Sequence, residues 1–465
     1  MAFSKFLDGK REACKQLVSA LLNDFPYVSV LGTDVRASVY FADRNTANAR
    51  DGAGECGFVV KMHDQKAFFE YSLSNITGDI PALAKKIVEE VRVHPSYQEK
   101  MIHCPLPLDE KMVESFLRPS DFEKYTDEEL LAFCSSLKQE LMGMDAGVLN
   151  AMVFLQPYTV SKLFISKNRE LDQHYGWANG IMHVVYKDGK IASAREGVNS
   201  HLLSDLLAQM PLKKEALLDK AKHLAKAKPI VPGVYDVITD SSISGLIAHE
   251  AFGHGVEMDQ FVKDRALAKK YVGKYVASPI ANMRDGAGST LSAASYFFDD
   301  DGVLACDTQI IKDGILVSGI SDLVSASQLG VPPTGNGRRE SYKRKAYSRM
   351  TNTFFDAGKD KLEDMIASIK HGYMLFETNN GMEDPKNWQI QCTAEYGIEI
   401  VDGKLTENYV SPVVMSGYVP DLLKSISMVS DGLEVIGSGG CGKGYKEWVK
   451  VADGGPSLKV RVKLA

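Results

Sequence analysis

Long uninterrupted apolar runs are missing from this sequence. No stretch approaches the roughly 18 consecutive apolar residues that a membrane-spanning helix needs. The N-terminus carries charges in its first turns, and no cleavable apolar segment follows them, so a secretory signal peptide is not expected. We therefore expect a cytoplasmic protein that does not associate with a membrane.

Paired cysteines and an excess of positive charge are missing as well. The seven cysteines are odd in number, scattered and never spaced as CxxC, which argues against a disulfide framework and fits a reducing compartment. Lysine and arginine number 54 against 60 aspartate and glutamate residues, for a net charge of −6. Because non-specific binding to nucleic acid needs a positive surface, nucleic acid is an unfavoured partner.

The length and composition that are present fit a protein of several folded units. A chain of 465 residues exceeds one compact core and is long enough for two or three domains. Apolar residues make up 45% and charged residues 25% of the sequence, as in ordinary globular proteins. The apolar spacing predicts four main helices, at 3–22, 80–93, 127–142 and 212–226.

Strand-like runs and turn residues fill most of the remaining chain. Short strands are predicted at 27–31 and 37–42, and Asp-Gly turns recur at 301–302, 313–314 and 402–403. The sequence Pro-Ile-Val-Pro-Gly at 229–233 follows the last of the four helices and marks a domain boundary. We predict an α+β fold, with a mixed N-terminal α/β domain at 1–230 and a β-rich C-terminal domain at 231–465.

The most informative motif is His249-Glu250-Ala251-Phe252-Gly253-His254. Neutral imidazoles bind zinc, and a neighbouring carboxylate can take a proton from metal-activated water. Common zinc peptidases space their histidines four apart on one helical face. Here they are five apart, which is roughly 140° of rotation on an ideal α-helix. Since Gly253 and Gly255 tolerate unwinding or a π-type bulge, we predict His249 and His254 as zinc ligands and Glu250 as the general base.

A catalytic zinc site usually has a third protein ligand. Cys441 is one candidate, because a thiolate binds zinc strongly and its glycine-dense loop at 437–444 allows close approach of the backbone. Glu257 and Asp259 compete with it, because they follow His254 closely and carboxylates also bind zinc. A lone cysteine packed as a small hydrophobe is the ordinary alternative. The chemistry of these residues leaves the third ligand open.

Four segments together resemble the TldD/PmbA metallopeptidases, a family once called modulators of DNA gyrase. They are 249–259, which holds the HExxxH motif, 333–341, 349–353 and 437–443. The resemblance implies zinc bound by His249, His254 and Cys441, with Glu250 in catalysis, as in the TldD-like type that keeps HExxxH. It also implies a cytoplasmic peptidase that acts on unfolded or short peptides. Such a chain is expected to form a homodimer, or a heterodimer with a paralogous chain lacking HExxxH.

A basic segment lies between Gly335 and Arg349. Its six cations, opposed by one acid, are Arg338, Arg339, Lys343, Arg344, Lys345 and Arg349. Asn336, Arg338 and Arg339 are weak candidates for gripping a carboxylate or phosphate of a substrate. A solvated loop, or ion pairing between domains, is the more ordinary interpretation.

Two other functions stay open at this point. One is a non-enzymatic regulator or binding protein that acts on DNA gyrase or another partner, for which a basic groove or a recognition helix is expected. The other is a purely structural zinc site. Glu250 beside the first histidine counts against that second alternative, because a structural site needs no base.

Overall fold

The computed structural model describes residues 3–93, 103–437, 439–445 and 447–465. Ser438 of the predicted glycine-dense loop lies outside these ranges. Within them, no helix combines the length and the apolar character needed to cross a bilayer.

An eight-stranded sheet forms the centre of the first half of the chain. Its strands are β1 Tyr27–Ala42, β2 Ala47–Asp51, β3 Glu55–His63, β4 Phe68–Leu73, β5 Met112–Leu117, β6 Val148–Ser166, β7 Arg169–Asp188 and β8 Lys190–Ser200. The order is β4-β3-β1-β6-β7-β5, with β2 beside β1 and β8 beside β7. Strand β5 runs parallel to β7, and the other pairs are antiparallel.

The central strands are longer than the sequence predicts. The two short strands predicted at 27–31 and 37–42 form one continuous strand of 16 residues, β1, and its neighbour β6 extends over 19 residues. Gly32 does not end β1. A Cβ at this position would lie 2.8 Å from the ring of Phe58 and 2.9 Å from Leu7 Cδ2. The glycine therefore makes room for side-chain packing instead of forming a turn.

Six α-helices of the described residues accompany this sheet. They are α1 Lys5–Asp8, α2 Arg11–Leu21, α3 Ile80–Val93, α4 Asp127–Gly143, α5 Leu203–Gln209 and α6 Lys214–Lys226, with short 3-10 turns at Phe122–Lys124 and Met210–Lys213. The helices predicted at 80–93, 127–142 and 212–226 are confirmed, whereas the one predicted at 3–22 is divided between α1 and α2.

The two faces of the sheet are covered by different parts of the chain. Val30 and Leu163 belong to a core cluster with α1, α2 and α3. Their neighbours Leu31 and Phe164 point the other way and cluster with Phe298 from the second half of the chain. Since successive strand residues face opposite sides, the helices cover one face and the second half covers the other.

The second half of the chain is rich in short strands. Its strands are β9 Gly233–Thr239, β10 Met283–Asp285, β11 Thr308–Lys312, β12 Ile315–Leu316, β13 Gly337–Arg338, β14 Tyr347–Ser348, β15 Asn352–Phe355, β16 His371–Asp384, β17 Gln389–Val401, β18 Lys404–Val410, β19 Val413–Tyr418, β20 Met428–Val429, β21 Glu434–Ile436, β22 Gly440–Lys443, β23 Glu447–Lys450, β24 Ala452–Gly455 and β25 Leu458–Leu464. Its α-helices are α7 Ser241–Leu246, α8 Met258–Val262, α9 Leu323–Leu329, α10 Leu362–Ala367 and α11 Val419–Lys424. A π-helix at Ile247–Gly253 and 3-10 turns at His254–Val256 and Leu267–Tyr271 complete the helical elements.

These strands form a small barrel and a second sheet. Strands β16, β9, β25, β19 and β17 pair in this order, and β17 pairs back to β16, so the five strands close on themselves. A six-stranded sheet has the order β12-β11-β10-β15-β24-β21, and β22 and β23 form a separate hairpin. The Asp-Gly turns at 313–314 and 402–403 join neighbouring strands, with each glycine at positive φ. The predicted α+β fold is confirmed.

Candidate metal centre

The HExxxH motif lies on a helix whose winding changes along its length. Helix α7 begins after Asp240, whose Oδ1 accepts a hydrogen bond from the backbone N–H of Ile243 at 2.7 Å. It continues as the π-helix Ile247–Gly253. The backbone N–H of His254 donates to the carbonyl of His249, and this i+5 to i bond places the two residues one turn apart. The π-type winding predicted from the five-residue spacing is therefore present.

Packing around the motif fixes this unusual turn. Ile247, Ala248, Ala251 and Phe252 are buried in the main core of the second half. A Cβ on Gly253 would lie 2.1 Å from Met350 Sδ, so only a glycine fits there without rearrangement. The imidazole rings of the two histidines lie edge to face, with centroids 5.0 Å apart.

Cys441 reaches the same point from the β22–β23 hairpin. Its Sγ lies 3.5 Å from Nε2 of His254, and the ligand atoms of His249, His254 and Cys441 all lie within 4.8 Å of one another. Typical Zn–N and Zn–S bond lengths place the N and S ligands of a tetrahedral zinc about 3.6 Å apart. The ligand atoms of these three residues therefore fit a zinc ion in both chemical type and spacing.

The electrostatics of the three side chains also suit a cation. Burial opposes ionisation of the Cys441 thiol, but His254 and then His249 outweigh it and hold the pKa of the thiol well below its usual range. Burial likewise opposes the charging of His254, yet Glu257 and Cys441 raise the pKa of its imidazole well above the usual value. A thiolate held between two imidazoles is an arrangement that a metal ion completes.

Glu257 and Asp259, the rival ligands, are engaged elsewhere. Oε2 of Glu257 lies 3.3 Å from Nδ1 of His254, on the side of the ring away from Cys441. Lys443 donates to Glu257 at 2.9 Å and to Asp259 at 2.6 Å. A carboxylate on the far nitrogen of a ligating histidine fixes the ring's orientation and tautomer. Glu257 thus orients His254, and we did not predict this role.

A fully buried arginine holds the hairpin that carries the thiol. Arg349 donates to the carbonyl of Cys441 at 2.5 Å and to the carbonyl of Glu447 at 3.2 Å. The sequence placed Arg349 in a basic segment and gave no sign that it positions Cys441. Its contacts are to backbone oxygens, which no side-chain pattern in the sequence records.

Glu250 faces open space beside the proposed ligands. With His249 it lines two adjoining cavities of about 610 and 560 Å³. Gly381 of β16 lies against the Glu250 side chain, so closely that a Cβ on Gly381 would be 2.5 Å from Glu250 Cγ. A general base needs this combination of a fixed position and access to solvent.

The three weak substrate-binding candidates are largely occupied by the protein itself. Asn336 is fully buried, and its amide donates to Asp285 and to the carbonyl of Arg349. Arg339 pairs with Glu70 at 3.0 Å, across the two halves of the chain. Arg338 donates to two backbone carbonyls and borders a cavity of about 560 Å³. The ion pairing expected between domains is thus observed for Arg339.

The half of the chain that carries this cluster matches a known domain family. Residues 232–463 match the model of the PmbA/TldA metallopeptidase C-terminal domain. A metalloprotease TldD homolog of Haemophilus influenzae is 35% identical over 249 residues, covering 53% of this chain and 51% of the relative. A zinc metalloprotease TldD homolog of Saccharolobus solfataricus is 31% identical over 230 residues, covering 49% of this chain and 51% of the relative. The chain spans about half the length of the curated relatives that it matches.

The likeness to solved structures extends over nearly the whole chain. A Thermotoga maritima protein described as a candidate modulator of a DNA gyrase superposes with a TM-score of 0.78 at 18% identity, covering 98% of this chain and 99% of the other. TldE of Thermococcus kodakarensis superposes with a TM-score of 0.75 at 18% identity, covering 97% and 100%. The fold is that of these solved structures, and the two histidines and the cysteine lie within the range that the metallopeptidase domain model matches. Through residues 232–463, the chain belongs to the TldD/PmbA metallopeptidase family.

Proposed function

We propose that the protein is a zinc-dependent peptidase that hydrolyses unfolded or short peptides. The observation that carries this proposal is the meeting of His249, His254 and Cys441, with Glu250 beside them in an open cavity. The naming of one relative as a zinc metalloprotease supports the choice of metal. We assign His249, His254 and Cys441 as the ligands, in the HExxxH-containing, TldD-like type.

Each residue of the site has a defined task. When bound, zinc supplies Lewis acidity, which polarises a peptide carbonyl and makes water acidic enough to attack it near neutral pH. Glu250 accepts the proton of that water and then returns it to the departing amine, so one carboxylate serves both steps. Glu257 keeps the His254 ring in place through Nδ1, and Arg349 holds the backbone of Cys441.

The fold also suggests how large a substrate the site accepts. The two cavities beside Glu250, of about 610 and 560 Å³, hold a few residues of an extended chain but no folded domain. We therefore expect peptides and unfolded segments as substrates. We further propose a homodimer, or a heterodimer with a paralogous chain that lacks HExxxH.

Substitution of Glu250 by glutamine tests the proposal. The Glu250→Gln protein is expected to bind zinc as the native protein does and to lose at least 100-fold in kcat on an unstructured peptide library. Glu407→Gln, an exposed position in β18, is the matched control and should cleave normally. Undiminished cleavage by Glu250→Gln would remove Glu250 from the mechanism. If the native zinc-loaded protein cleaved no peptide, the alternative of a non-enzymatic regulator of DNA gyrase or another partner would be preferred.

A further inference from the structure

A third cavity adjoins the two beside Glu250 and lies between the halves of the chain. Its volume is about 560 Å³, and it shares Gly440 and Trp448 with the cavity that contains His249 and Glu250. One wall comes from β6 and β7 of the N-terminal sheet, and the other from the β22–β23 hairpin that carries Cys441. A peptide that reaches Glu250 along this hairpin therefore passes the mouth of the third cavity.

Two cations border this cavity without a carboxylate partner. Within the described ranges, no aspartate or glutamate oxygen lies within 4 Å of the charged nitrogens of Lys450 or Arg338. Lys450 Nζ has a hydrogen bond to Asn179 Oδ1 at 3.2 Å, and Arg338 donates to the backbone carbonyls of Met350 and Lys450. Burial lowers the pKa of Lys450 to about 8. This ammonium is half-buried and feels the charge of Asp453 without forming an ion pair with it, so an anion that joins it is stabilising.

The acids on the same walls are already engaged. Asp300 pairs with Lys162 and accepts the backbone N–H of Arg339. Asp299 accepts three backbone N–H groups, and Glu340 accepts that of Trp448 at 3.0 Å. Burial raises the pKa of Glu55 to about 7, which weakens it as an anionic partner near neutral pH. The lining holds four cations and four acids, and Lys450 and Arg338 are the two of these cations that no carboxylate of the described residues contacts within 4 Å.

Several aromatic rings also line the cavity, and one of them carries a hydrogen-bond donor without a partner. Nε1 of Trp177 is buried and has no hydrogen-bond partner, which is rare for an indole in a folded protein. The Trp177 ring stacks on Tyr158, with centroids 4.7 Å apart. The aromatic rings can pack against the apolar part of a ligand, while the ammonium of Lys450 and the indole N–H of Trp177 can donate to an acceptor group at its end. A short side chain or a chain terminus with an oxygen acceptor meets both conditions.

We propose that this cavity is a substrate subsite that binds a carboxylate of the peptide, with Lys450 as its principal contact and Trp177 Nε1 as a second donor. The inference rests on the proposed peptidase function, since it names the class of peptide that the site prefers. The carboxylate comes either from an aspartate or glutamate side chain or from the C-terminus of the peptide. Lys450 pairs with Gly440 across the hairpin, and Gly440 directly precedes Cys441. The bound carboxylate therefore belongs to a residue near the cleaved bond.

Peptide binding to an inactive protein tests the subsite without depending on hydrolysis. Fluorescent peptides in matched pairs, glutamate against glutamine at each position and free against amidated C-terminus, are titrated into zinc-loaded Glu250→Gln protein. The carboxylate member of one pair is expected to bind about tenfold or more tightly than its neutral partner, as a charge-assisted hydrogen bond provides. The pair that shows the difference identifies the source of the carboxylate.

Substitutions at Lys450 test whether the difference in affinity within a peptide pair arises in this cavity. These variants are made in the Glu250→Gln background, and the ratio of affinities for the carboxylate and neutral peptides of a pair is measured. Lys450→Gln should bring this ratio close to one. Lys450→Arg should preserve most of it, and Trp177→Phe should reduce it. Lys404→Gln, at an exposed lysine outside the three cavities, is the control and should leave the ratio unchanged. Because Lys450→Gln removes a half-buried charge that forms no ion pair among the described residues, it should also raise the melting temperature.

Several results would overturn the proposal. They are equal binding within every pair, no measurable binding by any peptide, or a ratio that survives Lys450→Gln. Tighter binding of a 5′-phosphorylated oligonucleotide than of any peptide, lost in Lys450→Gln, would reassign the cavity to nucleic acid. If the native protein cleaves peptides but the pairs bind equally, the subsite fails and the peptidase stands. If the pairs differ but nothing is cleaved, the peptidase fails and the carboxylate site stands.

Discussion

Oε2 of Glu257 lies 3.3 Å from Nδ1 of His254, and the opposite nitrogen of the same ring lies 3.5 Å from Sγ of Cys441. The imidazole is thus held between a carboxylate and a thiol. Lys443 in turn fixes Glu257 at 2.9 Å. This chain of contacts sets the direction in which His254 offers its free electron pair.

Removing the charge of Glu257 is expected to weaken zinc binding. Glu257→Gln should lower zinc affinity by about 10- to 100-fold, since a carboxylate behind a ligating histidine fixes its ring and raises its basicity. Competition with a chelating dye measures the affinity. Asp259→Asn, which removes a contact of Lys443 without touching His254, should change it far less. Equal losses in the two variants would contradict the orienting role of Glu257.

A methyl group at position 381 is expected to displace Glu250, the proposed general base. In Gly381→Ala the new Cβ would lie 2.5 Å from Glu250 Cγ, so the carboxylate has to move. A shift of about 1 Å at a reacting group costs on the order of 100-fold in rate. Steady-state kinetics should therefore show a lower kcat with unchanged zinc content. Gly417→Ala, where a Cβ meets no atom within 4 Å, is the control. Normal turnover in Gly381→Ala would mean that the position of Glu250 does not limit catalysis.

The buried ion pair between Lys61 and Asp301 is expected to stabilise the joining of the two halves. Both side chains are almost fully buried, at 5% and 0% exposure, and Lys61 also lies 3.1 Å from Glu70. Lys61→Met leaves Asp301 buried without its cation, which typically costs about 3–5 kcal/mol. Urea unfolding followed by tryptophan fluorescence measures the change. Lys66→Met, at an exposed position, should change stability by less than about 0.5 kcal/mol. A similarly small effect of Lys61→Met would show that the pair contributes little.

Removal of zinc is expected to abolish cleavage while the fold persists. The π-helix is buried in an apolar core, and Arg349 holds the β22–β23 hairpin through backbone carbonyls. These contacts do not require the metal. Chelation should therefore leave the circular dichroism spectrum unchanged and eliminate activity, and added zinc should restore it. Unfolding on chelation would instead indicate a structural zinc site.

The sequence predicts the local features of the site because they depend on residues close together in the chain. Two histidines five residues apart, with glycines beside the second, indicate a π-type turn, and the structure has a π-helix at Ile247–Gly253. The meeting of Cys441 with His254 joins residues 187 positions apart. From residue chemistry alone that meeting competed with Glu257 and Asp259, and only the family resemblance favoured it.

Other features escape the sequence because they depend on long-range packing. Residues 27–34 of β1 are buried on both faces, and β6 is paired along its length with β1 and β7. Neither feature can be read from one strand alone. The sequence does not distinguish Arg349, Lys443 and Lys450 from other basic residues, although their positions in the fold give them different roles. Arg349 holds the backbone of Cys441, Lys443 binds two acids, and Lys450 forms no ion pair among the described residues.

Cobalt substitution tests most directly whether two imidazoles and a thiolate bind one ion. Titration of the metal-free protein with Co²⁺ should reach one equivalent and produce a thiolate-to-cobalt charge-transfer band, together with the visible bands of a tetrahedral site. Cys441→Ser should lose the charge-transfer band, whereas Cys306→Ser, at a half-buried cysteine outside the cluster, should retain it. A cobalt spectrum without a thiolate band, or one that Cys441→Ser leaves unchanged, would contradict the proposed centre.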